Sequence, residues 1–181
     1  MGEIAMKPLG SFAGKELKWQ KPTKGDRTWK LVADGETVAT LRREKPMGSL
    51  FTADAGGRRW TFKRVGFFRV RVTIRPEGSE TEEAEFHPRW HGGGDLVFAD
   101  GHRFDWSAKS FWRQEWAFTE GEANELLRYR CGFGMSRGLV TIAAPGARRR
   151  ELPLLVTLGW YLILKMAEDA AGAAAAAAAS G

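Results

Sequence analysis

Two fragments of this 181-residue chain together imitate the machinery of a lipase-type hydrolase. His91-Gly92-Gly93-Gly94 reads as an HGGG oxyanion loop, and Gly134-Met135-Ser136-Arg137-Gly138 fits the GxSxG nucleophile elbow. In that fold the nucleophilic serine sits on a strand-to-helix turn, and an acid and then a histidine follow it along the chain. The last histidine here is His102, upstream of Ser136, and the segment after the elbow, GLVTIAA, has the composition of a strand. Both fragments are therefore expected to be glycine-rich turns. His87, His91 and His102, with Asp95 nearby, are ligand types that zinc accepts, but their spacing fits no metal signature. GFGMSRG as a phosphate cradle lacks the strand-loop-helix setting that such a loop needs. Cys131 is the sole cysteine, which excludes disulfides within the chain and any cysteine-based zinc cluster. On ELLRYRCGF it shares a strand face with Leu127, Tyr129 and Phe133, so it reads as a small buried hydrophobe. No catalytic residue, metal or cofactor is expected.

The cations are the better lead. Arg59, Lys63, Arg69, Arg71 and Arg75 are expected to point outward on consecutive strands, with Arg42, Arg43 and Lys45 close by. Such a wall would attract anionic lipid headgroups at about 1 kcal/mol per residue. Nucleic acid is disfavoured, because neither an aromatic-rich RNA motif nor a recognition helix accompanies the cations. The net charge of +6 hides a division along the chain: residues 1–75 carry seventeen basic and seven acidic side chains, and residues 76–125 carry four basic and twelve acidic. A basic stretch beside an acidic one could make a surface for polyanions. It could equally place opposite charges across neighbouring strands of one sheet, which stabilises them modestly.

The elements that would position these residues are strands. WKLVA and ETVATLRR flank Asp34-Gly35, SLFTAD and RRWTFKR flank Gly56-Gly57, and DLVFA and HRFDW flank Asp100-Gly101. Glycine tolerates the positive φ of tight turns, so Asp-Gly and Gly-Gly between apolar runs predict hairpins. A fourth hairpin joins WRQEWAFT to NELLRYRC through Glu120-Gly121. Alternation predicts one buried face per strand. In FFRVRVTIR, Phe68, Val70, Val72 and Ile74 would face one way, and in WRQEWAF, Trp112, Trp116 and Phe118 would share a face. With ELKW, EAEFH and GLVTIAA, about a dozen strands precede residue 145. A closed barrel of that size has a lumen too wide for its own side chains, since eight strands already reach the limit they fill.

LPLLVTLGWYLILKM, residues 152–166, can fill it. At helical period its apolar residues fall on every side, so the helix must be buried all round or lie in lipid. Leu152 to Leu164 is 13 residues, followed by Lys165, Glu168 and Asp169. A membrane-spanning helix needs about 20 apolar residues, so burial in the protein is the expectation. The alternative is a short tail anchor, with Arg148 to Arg150 at the membrane border.

A hairpin series ending at GLVTIAAPG, followed by that apolar helix, resembles the tubby C-terminal domain-like superfamily of tubby proteins, phospholipid scramblases and LURP-one-related proteins. The resemblance covers roughly residues 17–167. It implies a mainly β fold, a twelve-stranded antiparallel barrel enclosing a hydrophobic C-terminal helix. The cysteine-rich and calcium-binding segments of scramblase-like proteins have no counterpart here, and neither have the tubby C-terminal signatures, so no functional residue carries over. The expected organisation is an N-terminal segment over 1–16, one barrel domain over 17–167 with its helix at about 150–167, and an alanine-rich tail over 168–181, frayed or disordered. The start of the chain lacks the apolar region of a secretory signal, which predicts a cytoplasmic protein. The functional expectation is a non-catalytic binding or scaffolding module that docks on anionic phospholipid through the basic wall, peripheral at the membrane. The alternatives are a protein-interaction module without a lipid role and a tail-anchored membrane protein.

Overall fold

Alternating apolar and polar residues build twelve strands, and each buries one face. In a computed structural model, residues 7–180 are described, apart from 22, 24, 91, 111, 113 and 133–136. The strands are β1 (Glu16–Gln20), β2 (Thr28–Ala33), β3 (Glu36–Arg43), β4 (Phe51–Ala55), β5 (Arg58–Val65) and β6 (Arg71–Pro76), then β7 (Ala84–Pro88), β8 (Gly94–Phe98), β9 (Arg103–Ser110), β10 (Glu115–Glu120), β11 (Asn124–Cys131) and β12 (Arg137–Ile142). Each pairs antiparallel with its sequence neighbour, and β1 pairs with β12, which closes the ring. Asp34 and Gly35 have φ of 51° and 82°, the two positive values that a tight hairpin of matching twist requires.

Two helices follow the barrel: α1 (Ala144–Ala147) and α2 (Leu152–Ala179). From Leu152 to Leu164 every large apolar side chain of α2 is buried. Its contacts reach strands on opposite sides of the ring. Trp160 stacks on Trp19 of β1 at 5.8 Å, and Tyr161 meets Phe51 of β4 and Phe62 of β5 edge-on at 5.1 and 5.5 Å. The Tyr129 hydroxyl of β11 donates to the Leu155 and Val156 carbonyls, both at 2.9 Å. A Cβ on Gly159 would lie 2.4 Å from Cζ of Tyr129, so only glycine admits that ring. The alanine-rich tail is helical to Ala179 rather than disordered, and residues 169–179 of this extension are exposed.

The direction of α2 distinguishes the two rims. Near its start, Arg149 pairs with Glu120 and Arg150 lies 3.5 Å from Asp100, at the rim formed by connections 34–35, 56–57, 77–83, 99–102 and 121–123. Where α2 emerges, Arg43 pairs with Glu168 and Arg64 with Asp169 at 2.8 Å. This exit rim carries connections 21–27, 44–50, 66–70, 89–93, 111–114 and 132–136.

The dependence of the barrel on α2 is directly measurable. A chain ending at Arg150 should aggregate or lose its cooperative melt, whereas one ending at Asp169 should melt as the full chain does. Gly159→Ala should cost about 1 to 3 kcal/mol, the usual penalty for a methyl forced into a filled core, read as a Tm lower by several degrees in calorimetry.

Candidate functional site

The seven cations expected to form one basic wall divide into three groups. Arg59 hydrogen-bonds Asp54 at 2.8 Å and approaches Glu77 at 3.4 Å, Arg71 bonds Glu85 at 2.9 Å, and Arg75 bonds Glu82 at 2.8 Å. These are pairs across or between neighbouring strands, so the basic stretch of sequence is matched by the acidic one on the same outer face. The Arg75 hydrogen bond, reinforced by the neighbouring Glu85, holds the Glu82 carboxyl below its ordinary pKa. Arg43 does not join the wall: half-buried at the exit rim, it pairs with Glu168 and lies 5.0 Å over the Phe51 ring. Burial lowers its pKa. Arg42, Lys63 and Arg69 are exposed and pair with no carboxylate among the described residues. An outer face carrying ion pairs is the inverse of a membrane-spanning barrel, whose lipid-facing band is apolar. No helix of the described residues is long and apolar enough to cross a membrane.

Of the fragments that imitate catalysis, Gly92 and Gly93 lie on the connection before β8 and Gly94 begins β8, while Arg137 and Gly138 begin β12. Gly93 has φ of 74°, and a Cβ there would sit 2.3 Å from the Trp106 carbonyl oxygen, which accounts for a glycine in HGGG without any oxyanion. His91 and Ser136 lie outside the described residues. His87 Nε2 stands 3.1 Å from Glu85, and His102 Nε2 3.4 Å from Glu120. No group of three or more His, Cys, Asp or Glu side chains that could hold a metal occurs among the described residues.

Unexpected features converge on the exit rim. Among the described residues, the exposed large hydrophobic ones are Met47 (98%), Phe67 (89%), Phe68 (94%), Trp90 (95%) and Trp112 (92%). They lie on connections 44–50, 66–70, 89–93 and 111–114, four successive connections of that one rim. Two of these positions correct the strand reading: Phe68 and Trp112 precede β6 and β10 and point to solvent, while Val72, Ile74, Trp116 and Phe118 supply the inward faces. The sequence does hold a signal for four of them. Met47 lies between Pro46 and Gly48, Phe67 follows Gly66, Trp90 lies between Pro88 and Gly92, and Phe67-Phe68 are adjacent, which strict alternation cannot bury.

Charge follows the same polarity. On the exit rim the described connection residues include Lys21, Arg27, Lys45, Arg69 and Arg89 against Asp26 and Glu44. The five hairpin connections of the opposite rim hold Asp34, Glu77, Glu80, Glu82, Glu83, Asp100 and Glu122, of which Asp34 pairs with Lys15, Glu77 with Arg59, Glu82 with Arg75, Glu83 with Arg58 and Asp100 with Arg150. At the centre of the exit rim, Lys165 pairs with Glu168, and burial together with Arg43 and Arg64 lowers its pKa. A cavity of about 270 Å³ opens beside it, lined by Val72, Phe86, Trp90, Trp106, Leu162 and Met166 among others.

No protein family, curated protein or solved structure matches this chain. The likeness to the tubby-like barrels therefore rests on the strand series and the apolar helix alone.

Burial pushes the Cys131 thiol up to about 12. The folded chain should accordingly resist iodoacetamide at pH 8 over a period in which the denatured chain is fully alkylated, as read by intact mass. Rapid labelling of the folded chain would show an accessible thiolate instead.

Proposed function

We propose that this chain is a non-catalytic binding module, cytoplasmic and peripheral at the membrane, that docks on anionic phospholipid surfaces through its exit rim. What supports this reading is the set of cations at the exit rim that have no carboxylate partner among the described residues. Lys21, Arg42, Lys45 and Arg69 reach solvent at or next to this rim, and each cation near an anionic leaflet contributes about 1 kcal/mol. Of the carboxylates on the hairpin connections of the opposite rim, only Glu80 and Glu122 lack a cation partner among the described residues, so the exit-rim cations set the orientation. The wall formed by Arg59, Arg71 and Arg75 contributes less, because Asp54, Glu77, Glu85 and Glu82 already cancel its field. The architectural likeness to tubby-like barrels agrees with this reading and adds no residue to it.

Flotation with vesicles tests the proposal. The wild type should float with vesicles of phosphatidylcholine and phosphatidylserine, with or without phosphoinositide, and stay behind with phosphatidylcholine alone. Binding should weaken steeply as salt rises, because screening lengths fall to about 10 Å near 0.1 M. The triple variant Arg42→Glu, Lys45→Glu, Arg69→Glu should lose most of the binding with little change in Tm, since exposed charges contribute little to stability. Arg59→Gln with Arg75→Gln should lose much less. Equal binding to neutral and anionic vesicles, or none to either, would refute the reading.

A further inference from the structure

Charge alone leaves the exposed hydrophobic residues of the exit rim without a role. Five large apolar side chains at 89% exposure or more are an unfavourable surface in water, and they are not scattered. Every one lies on the exit rim, while no large hydrophobic residue among the described residues stands that exposed on the opposite rim or the outer wall. Phe67 and Phe68 pack edge-to-face at 5.1 Å and form one prong, and Met47, Trp90 and Trp112 head the neighbouring connections.

Their spacing bears on what covers them. Adjacent strands lie about 4.8 Å apart, so successive connections on one rim stand roughly 10 Å apart. The tips are therefore separate prongs with exposed Lys45 and Arg69 beside them, and they form no continuous apolar patch. A protein partner would need a separate pocket for each prong, whereas a fluid bilayer takes each one independently. Aromatic rings suit this depth, since Trp and Tyr concentrate where hydrocarbon meets headgroups, and interfacial binding combines buried apolar area with attraction to anionic lipid.

We infer that Met47, Phe67, Phe68 and Trp90 are insertion prongs: they enter the headgroup-hydrocarbon boundary of one bilayer leaflet while Arg42, Lys45 and Arg69 hold the phosphates around them. This rests on the docking reading above and names its mode. The barrel then stands on the membrane with its acidic rim facing away. The helical extension beyond Asp169, which carries no charged side chain over 170–179, leaves the protein at the centre of this rim and meets the same leaflet.

The experiment uses the full chain with an environment-sensitive fluorophore on a cysteine placed at Phe68 (Phe68→Cys) or, at the acidic rim, at Glu80 (Glu80→Cys). Cys131 is buried and stays unlabelled. With vesicles of phosphatidylcholine and phosphatidylserine, the label at 68 should shift to the blue and be quenched by nitroxide-bearing lipid, and the label at 80 should do neither. Without any label, Phe67→Ser with Phe68→Ser should lower vesicle partitioning by about tenfold or more, as expected when two large apolar side chains leave the interface. The residual binding should be more salt-sensitive, because charge alone would then carry it. If the wild type floats but the label at 68 stays water-like and the serine variant binds equally, insertion is overturned and surface docking stands. If no vesicle composition binds, both fail. If instead the serine pair converts a dimer to a monomer with no effect on vesicles, the rim is a contact between copies of this chain and insertion is likewise overturned.

Discussion

Twelve strands joined in one ring leave more room than their inward side chains fill, and the rest of the structure answers that constraint. The apolar stretch of α2 supplies the missing contacts. Trp160 lies against Trp19, Tyr161 sits between Phe51 and Phe62, and the backbone carbonyls of Leu155 and Val156 accept from Tyr129. The ring therefore needs polar or small groups at defined levels on the helix. Gly159 makes way for Tyr129, and Thr157 satisfies its own hydroxyl on the Pro153 and Leu154 carbonyls at 3.1 and 3.0 Å. A helix running from rim to rim also has two unlike ends, and ion pairs at each end fix its position along the barrel: Arg149 with Glu120 on one side, Arg43 with Glu168 and Arg64 with Asp169 on the other.

With the interior apolar, charge is left for the outside, and the outside is ordered. Around β4 to β7 the arginines meet carboxylates one or two strands away, which neutralises the wall. At the rim where α2 starts, Asp34, Glu77, Glu82, Glu83 and Asp100 are likewise paired with Lys15, Arg59, Arg75, Arg58 and Arg150, whereas at the exit rim Lys21, Lys45 and Arg69 have no carboxylate partner among the described residues. Because the strands alternate in direction, every second connection belongs to the same end, so a modest bias in alternate loops accumulates at one rim, which gathers the exposed aromatic residues and the unpaired Lys21, Lys45 and Arg69. A chain whose loops were shuffled between the two sets would keep the same composition and net charge and lose that polarity.

Most of the barrel was legible in the sequence, because each of its rules is local. Asp34-Gly35, Gly56-Gly57 and Asp100-Gly101 announce turns, and alternation in RVTIR or NELLRYRC announces a face. The apolar helix declared itself by being apolar all round and too short to span a membrane. Strand endpoints were not legible in the same way. The alternation of FFRVRVTIR continues unbroken in the letters, yet β5 ends at Val65 and β6 begins at Arg71, so Phe68 belongs to a connection and faces water. Periodicity reports which way a side chain would point if the strand extended that far, and it does not report where pairing stops. The cation wall failed for another reason. Whether Arg71 is free or bonded to Glu85 depends on register between β6 and β7, a relation between segments that neither segment carries alone. Gathering Met47, Phe67, Phe68, Trp90 and Trp112 at one rim needed the complete strand order.

The placement of α2 after all twelve strands has a consequence for how the protein is made. Both the partner that closes the ring, β12, and the helix that fills it follow the other eleven strands, so β1 waits for the synthesis of ten intervening strands before its pairing partner exists. At about 5 to 20 residues per second, roughly 7 to 26 s separate the first strand from the start of the helix. During that interval each hairpin presents a row of aromatic and aliphatic side chains with nothing to cover them, and its outer edge is open to pairing with another nascent chain. Closure of this barrel therefore waits until β12 and α2 have been made, and until then the open hairpins are exposed to association with other chains.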